Sequence, residues 1–481
     1  MTQQEDLKQK TISGLFWQFL QKALSQVVSF GISVVLARLL MPEEFGVVAL
    51  AGMFIILIGI FVDCGFGRAL VQKKDTDDID YNTIFWIQLL FSVIVYLAVF
   101  ALAPFFSALF HTPRLTSVIR VLALGMPLGC IGGIQGVIVT RKMAFKTYFY
   151  ATMVGTVVSG GIGVYLAYQG FGVWALVAQN LLANLLNTIT VFFQVRWLPR
   201  FIFSVERFRS LFVVGSKYML SSLIGTAFGQ LRGYIIGLKY TPTDLAYYNR
   251  GEGVPQIFTR NIDSSINTVL FPVFAKLQDD KEAVKNAVRR SIKTSSFLLF
   301  PMVLGLAAIA DHLVILLYTE KWEACIPFMQ VFCISECFTI LNTANMQVLN
   351  GMGQVNTLLK LELYKKPVLM AILIATMFIS PLAIAIGMCV YGIFTMFVNA
   401  FPNKKLIHYH IKEQLKDISD NASVAILMAV CVYLIGRLDI NLYVLVSLQT
   451  FLGILIYIGI SEFFHIESWA YVKNSKGKLS F

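Results

Sequence analysis

FGVVALAGMFIILIGIFVDCGFG, residues 45–67, is apolar along its whole length except for one carboxylate, Asp63. A helix needs about 20 mostly apolar residues to cross the hydrocarbon core of a bilayer. The run is read as one membrane span, and the same pattern recurs outward from it in both directions. Apolar runs separated by short charged or Pro/Gly stretches occupy 14–39, 45–67, 83–110, 117–139, 147–168, 172–195 and 211–238. Further on they occupy 247–275, 294–318, 324–349, 360–379, 382–402, 421–437 and 441–463. All are read as helices, because a backbone in lipid must satisfy its own hydrogen bonds. The stretch from Pro367 to Pro402 holds no charge and is too long for one span, so it is divided at Ser380-Pro381. The expected fold class is an all-α integral membrane protein with about fourteen transmembrane helices.

Composition agrees. Of the 481 residues 57% are hydrophobic and only 14% are Asp, Glu, Lys or Arg, where a soluble domain carries about 25% charge. Mean hydropathy is +0.71. These values exclude a soluble multidomain protein, a disordered chain, a disulfide scaffold and a nucleic-acid binder. None of the seven cysteines has C-x-x-C spacing, so neither a zinc ribbon nor a disulfide framework is indicated. The polar first residues lead into an apolar run too long for a signal-peptide core, which is read as an uncleaved first span.

Net charge is +12. Of 39 Lys and Arg residues, 26 fall in segments on the side of the N-terminus and five on the other side: Arg38, Arg114, Lys239, Lys321 and Arg437. Loops rich in Lys and Arg face the cytoplasm, which places both termini there. The opposite loops are short and leave no room for the external domain of a membrane glycosyltransferase. No Walker motif or nucleophile constellation is visible, so the chain is read as a non-enzyme without a cofactor.

Two stretches repeat. Gly14 leads to Pro42, Glu44, Phe45 and Gly46; Gly215 leads to Pro242, Asp244, Leu245 and Ala246. An offset near 200 relates six spans to six spans in the same orientation, as in parallel-repeat transporters. The expected organisation is an N-lobe over 1–200, a C-lobe over 201–402, and 403–481 holding a cytoplasmic loop, two further spans and a cytoplasmic tail. The basic, aromatic joint from Arg196 to Arg209 reads as a linker on the membrane surface. Val284, Val288 and Ile292, spaced by four, mark a further surface helix.

A charge at mid-membrane costs about 2.5–3.5 kcal/mol on insertion scales. The first span nonetheless carries Gln18, Lys22, Ser25, Ser29 and Ser33 as one stripe, and the seventh carries Lys217, Ser221, Gly225, Gly229 and Arg232. Asp63 and Arg68 close the second span; Arg250, Glu252, Arg260 and Asp263 sit in the eighth; Arg120 lies in the fourth. Facing one another, such groups would line a net-positive central cavity suited to phosphate or diphosphate, for which arginine is a bidentate donor. The expected diphosphate-binding set is Lys22, Arg68, Lys217, Arg232, Arg250 and Arg260. Asp63, Glu252, Asp263 and Glu336 are candidates for ion coupling or charge pairing. Two blander readings stand beside these: arginines near span ends snorkel, and Arg260 and Asp263 pair along one helix. Asn180, Asn184 and Asn187 read as interhelical hydrogen-bonding residues, and the glycines between Gly155 and Gly163 as close-packing ones.

Seven motifs in order complete the picture: DCGFGRALVQKK (63–74), NTIFWIQLL (82–90), GFGVWALVAQ (170–179), AYYNR (246–250), VLFPVFAKLQDD (269–280), EKW (320–322) and LNGMGQ (349–354). Together they resemble the bacterial polysaccharide transporters, the oligosaccharide-lipid flippases of the multidrug/oligosaccharidyl-lipid/polysaccharide exporter superfamily, over about residues 10–400. The resemblance implies two six-helix lobes around a central cavity, two extra helices and alternating access. It implies a polyprenyl-diphosphate-linked oligosaccharide as substrate, moved for O-antigen, capsule or exopolysaccharide assembly. A polysaccharide polymerase and chain-length machinery are implied partners, beside membrane lipids and without nucleic acid. Coupling to a proton or sodium gradient is implied by analogy alone. The family's motifs fall on Asp63, Arg68, Tyr248 and Arg250. A peptidoglycan-precursor flippase, a cation-coupled drug exporter and a non-transporting scaffold remain the alternatives; the basic cavity and the absence of a carboxylate in the first span weigh against the drug exporter.

Overall fold

The computed structural model describes residues 3–277 and 280–475; the end of the VLFPVFAKLQDD motif and the last residues of the basic tail lie outside them. The described residues are helical, with no strand. In chain order the helices are α1 (Gln3–Leu39), α2 (Pro42–Asp63), α3 (Phe66–Gln72), α4 (Asp78–Leu109), α5 (Leu115–Leu122), α6 (Gly125–Arg141), α7 (Phe145–Tyr168), α8 (Val173–Val195), α9 (Val205–Lys239) and α10 (Pro242–Leu277). They continue as α11 (Lys281–Tyr318), α12 (Ile326–Glu336), α13 (Thr339–Gly351), α14 (Val355–Thr376), α15 (Pro381–Ala400), α16 (Asn403–Leu406), α17 (Ile411–Ile435), α18 (Leu442–Phe463) and α19 (Glu467–Ser475).

Among the described residues twelve helical stretches are long and apolar enough to cross a membrane, and the protein is a multi-pass membrane protein. The two expected spans outside this set, 247–275 and 360–379, form helices α10 and α14, whose charged residues hold their hydropathy down. The charge-free run does divide at Ser380: α15 starts on Pro381, and the Ser380 hydroxyl accepts the N–H of Ala383 at 3.0 Å. A proline at the first helical position and a serine cap before it are the usual start signals.

Three expectations change in detail. The expected span 117–139 is two helices, α5 and α6, with a break at Ala123-Leu124. The span 324–349 is likewise broken at Cys337-Phe338, between α12 and α13. Val284, Val288 and Ile292 belong to no separate surface helix: α11 runs unbroken for 38 residues, and these three are fully buried. Burial along one stripe fixes that first half of α11 against its neighbours, so it continues the span instead of lying flat.

The chain divides into two compact units, Met1–Ala246 and Tyr247–Phe481. In the first, α9 packs against α2, α3 and α4, and α7 against α1 and α8. Helix α2 opens on Pro42, with the Met41 N–H bonded to the Glu44 carboxylate at 2.9 Å. The same device recurs at Pro242, where the Thr241 N–H bonds the Asp244 carboxylate at 3.0 Å and the Asp244 N–H returns to the Thr241 hydroxyl at 3.1 Å. Each satisfies helix-start N–H groups that lack intrahelical partners. In the second unit, α11 packs along α17 and α18. There Arg289 binds Asp417 with both Nε and Nη2, at 2.7–2.9 Å. The Tyr409 hydroxyl donates to the same carboxylate at 2.8 Å. Burial pushes the Tyr409 phenol well above its ordinary value, and the Asp417 bond adds to that.

Candidate functional site

In the first unit the sequence DCGFG breaks a helix and builds a cleft wall. Cys64 and Gly65 take φ of 48° and 68°, ending α2 and starting α3. A side chain is strained there, and there is no room for one: a Cβ on Gly65 would stand 2.3 Å from the Gly215 carbonyl oxygen. At the break, the Asp63 carboxylate stands at the start of α3, 3.5 Å from where a Cβ on Gly67 would lie, with Arg68 as its charged neighbour. A carboxylate at a helix start also meets the positive end of the helix dipole. At the other end of α3, Arg141 donates to four carbonyls: Leu70 at 2.7 Å, Val71 at 3.1 Å, Lys73 at 2.5 Å and Lys74 at 2.8 Å. The short helix is thus held by a carboxylate at its start and a guanidinium at its end.

Beyond it, Lys73 pairs with the fully buried Asp80 at 2.6 Å. Arg207 pairs with Asp77 at 3.3 Å. The Asp77 carboxyl is held below its ordinary value, first by the Asp80 N–H it accepts at 2.9 Å and then by Arg207. Lys73, Arg141 and Arg207 belong to the side of the chain that holds most of the basic residues, and all three have structural partners.

The cleft that follows from this wall has a volume of about 730 Å³. Asp63, Arg68 and Gln72 form one side, Asn184, Asn187 and Thr188 of α8 another, with Tyr148 of α7 and Tyr218 of α9. Its floor is α6, through Gly129, Gly132, Gly133 and Gly136. The spacing i, i+3, i+4, i+7 puts these four on one helix face. Tyr148 and Thr188 close over Gly136 and Gly132, where a Cβ would come within 2.6 and 2.9 Å of their hydroxyls. At Gly129 a Cβ would meet nothing within 4 Å, and at Gly133 only the Gln88 amide oxygen at 3.9 Å. The Tyr218 hydroxyl donates to Gln72 at 3.1 Å, and the Arg68 guanidinium lies 5.9 Å from the Tyr218 ring centre.

Of the expected diphosphate-binding residues only Arg68 lines this cleft. Lys22 and Lys217 are exposed on α1 and α9, and Arg232 is half-buried. Asn184 and Asn187, expected to join helices, line the cleft instead, whereas the Asn180 amide bonds its own helix at Leu176. The glycine face, Gln72, Tyr148 and Tyr218 were not expected; the sequence signal for the floor was GCIGGIQG at 129–136.

In the second unit the guanidinium of Arg250 stands 4.7 Å from the Tyr318 ring centre and 4.8 Å from that of Trp322. Both rings are essentially buried. Tyr248, the other motif residue, is fully buried edge-on against Phe332, with ring centres 5.1 Å apart. A second polar group joins α10 to α12 and α13. Gln256 donates to Glu252 at 2.8 Å and accepts from Arg260 at 2.5 Å. Thr259 and Thr339 lie beside Glu336, with Glu252 and Arg260 as its charged neighbours. Asp263 lies near Thr343 and Glu336, and its Oδ1 is buried without a hydrogen-bond donor. Glu252, Arg260, Asp263 and Glu336, scattered in sequence, are therefore neighbours. Among the described residues no cluster has the ligand set of a metal site.

Helices of membrane-crossing length, one of them broken beside a polar cleft, define a multi-pass protein with the fold of the multidrug/oligosaccharidyl-lipid/polysaccharide exporters. Solved structures agree on that fold. The lipid II flippase MurJ in an inward closed conformation is 14% identical, with a TM-score of 0.78, over 94% of this chain and 99% of that one. An inward-facing multidrug transporter of the same superfamily is 16% identical, with a TM-score of 0.60, over 80% and 94%. Residues 35–327 match the family described as polysaccharide biosynthesis protein, and the chain belongs to it. Its relatives include the Rhizobium meliloti succinoglycan biosynthesis transport protein ExoT, 27% identical over 70% of this chain and 68% of that protein. The Bacillus subtilis teichuronic acid biosynthesis protein TuaB is 24% identical over 62% of each. The Escherichia coli lipopolysaccharide biosynthesis protein WzxC is 23% identical over 75% and 73%.

Proposed function

We propose that this protein is a flippase that moves polyprenyl-diphosphate-linked oligosaccharide units across the bacterial cytoplasmic membrane by alternating access, for O-antigen, capsule or exopolysaccharide assembly. The observation that carries the reading is the open polar cleft of α2, α3, α6 and α8, which lies inside the family-matched stretch and among helices otherwise apolar. Polar groups inside a membrane are costly and serve a pathway or a substrate. The names of the relatives, from succinoglycan, teichuronic acid and lipopolysaccharide biosynthesis, support the same substrate class.

The finer parts of the reading rest on the sequence. Both termini are cytoplasmic by the bias of Lys and Arg. Fourteen spans follow if α10 and α14 cross as well. The lobes run over 1–200 and 201–402, with 403–481 appended; the paired Pro42 and Pro242 turns and the breaks after α5 and α12 support the repeat. Of the six residues expected to bind the diphosphate, Lys22, Lys217, Arg232 and Arg260 are its proposed partners; Arg250 lies against Tyr318 and Trp322 and Arg68 shares its cleft with Asp63, and neither is kept in that role. Asp63, Glu252, Asp263 and Glu336 are proposed for coupling to protons or sodium ions. A polymerase and chain-length machinery are the proposed partners, and the chain itself carries out no bond chemistry.

The test is deletion in the native host, with lipid-linked intermediates extracted and weighed by mass spectrometry. The expected result is a complete repeat unit accumulating on its polyprenyl carrier, with surface polysaccharide lost. Accumulation of the peptidoglycan precursor instead, or unchanged polysaccharide with new sensitivity to cationic drugs, overturns the reading.

A further inference from the structure

We infer that the cleft of the first unit holds the saccharide part of the substrate and not its diphosphate. The inference rests on the flippase reading for the substrate but on the cleft's own chemistry for the assignment. Its charged groups cancel: Asp63 and Arg68 are both in the lining, and Arg68 lies beside the Tyr218 ring. A diphosphate carries several negative charges and calls for uncancelled guanidinium or ammonium groups. One arginine and one carboxylate in the same lining leave no net positive charge.

What the cleft does offer is a set of neutral hydrogen-bonding groups. Asn184 and Asn187 each present a carbonyl acceptor and an amino donor, Tyr148 presents a hydroxyl, and Gln72, whose carbonyl accepts the Tyr218 hydroxyl, presents its amino group. A sugar hydroxyl is itself a donor and an acceptor, so amides match it in either sense. The two phenol rings add apolar faces with polar edges, the amphipathic surface that a sugar ring also has.

The floor supports the same conclusion from packing. Glycines on a membrane helix normally admit a neighbouring helix at close range, and protein interiors leave few voids. Gly132 and Gly136 follow that rule, with Thr188 and Tyr148 upon them. Gly129 and Gly133 do not: the space above Gly129 is empty to 4 Å, and a polar cleft of about 730 Å³ opens there. That volume lies in the range of small-molecule sites. A Cβ at 129 or 133 would enter this space without striking the fold, so the missing side chains leave room for a ligand.

The experiment uses the purified full-length protein in detergent. The probes are short oligosaccharides cut from the host's surface polysaccharide by partial acid hydrolysis and, separately, inorganic diphosphate. Two variants report on the cleft: Gly129→Phe, which fills the space, and Asn184→Ala, which removes one amide. The expected result is oligosaccharide binding by the wild type, weakened about tenfold or more by Gly129→Phe and severalfold by Asn184→Ala, with both variants melting as the wild type does. Inorganic diphosphate at the same concentration leaves oligosaccharide binding unchanged. Wild-type affinity in both variants, displacement of the oligosaccharide by diphosphate, or no oligosaccharide binding by the wild type overturns the inference. The deletion experiment is independent: a lipid-linked unit that accumulates while both variants bind as wild type leaves the flippase reading standing and removes this one.

Discussion

Helices α2 and α10 both start on a proline with a carboxylate two residues on, Glu44 in one and Asp244 in the other, yet α2 stops at Asp63 whereas α10 runs through Asp263 to Leu277. The residues just after each aspartate account for the difference. Cys64-Gly65 supplies a glycine that takes positive φ, and a close approach to Gly215 leaves that glycine irreplaceable. Ser264-Ser265 offers no such residue, and the helix continues. The consequences are chemical. Where the helix breaks, Asp63 stands at the start of the next helix and lines a polar cleft with Arg68. Where it does not, Asp263 is left with one oxygen lacking a donor, and Arg250 lies against two aromatic rings. One starting pattern thus yields an open polar cleft in one place and packed structure in the other.

The largest effect should come from Gly65→Ala. The strained φ and the collision with Gly215 together cost about 3 kcal/mol, read as a steep loss of folded protein on size-exclusion chromatography after membrane extraction. Arg141→Ala removes the four hydrogen bonds at the end of α3 and should cost about 2 kcal/mol, seen as a lower melting temperature with oligosaccharide binding reduced. The two arginines separate next. Arg250→Lys should cost about 1 kcal/mol, because lysine lacks the planar guanidinium that lies against Tyr318 and Trp322, whereas Arg68→Lys should leave the melting temperature unchanged. Equal effects at both positions would erase the contrast.

The smallest effect is electrostatic. The Asp77 carboxyl is depressed, first by the Asp80 N–H and then by Arg207, so it adds stability above the ordinary carboxylate value, near pH ~4. That stability is lost as pH falls through the depressed value. Asp77→Asn keeps a cap but no charge. It should lower stability by under about 0.5 kcal/mol at neutral pH, with the difference from wild type vanishing in acid, as followed by melting curves across pH.

Most of the fold was legible because lipid imposes one demand on every span, and hydropathy reads that demand directly. The divide at Ser380-Pro381 was legible for a local reason, a cap followed by proline. The breaks at Ala123-Leu124 and Cys337-Phe338 were not, because they lie inside apolar runs where a short interruption of the helix leaves hydropathy unchanged. At the cleft, Asp63 and Arg68 stood out as charges in an apolar run. Asn184 and Asn187 were read as links between helices because one helix's periodicity cannot say whether its polar face meets a neighbour or a void. The setting of Arg250 depends on Tyr318 and Trp322, some seventy residues away, a separation that no local pattern spans.

The central claim is that this chain moves a lipid-linked oligosaccharide from one leaflet to the other. Its most direct test is reconstitution of the purified protein into liposomes carrying the lipid-linked repeat unit from the deletion strain, with the saccharide on the outer leaflet measured by a membrane-impermeant lectin. The account predicts that outer-leaflet exposure changes with time in protein-containing liposomes and that Gly129→Phe abolishes the change. Exposure no different from protein-free liposomes, under an imposed proton or sodium gradient as well as without one, would contradict it.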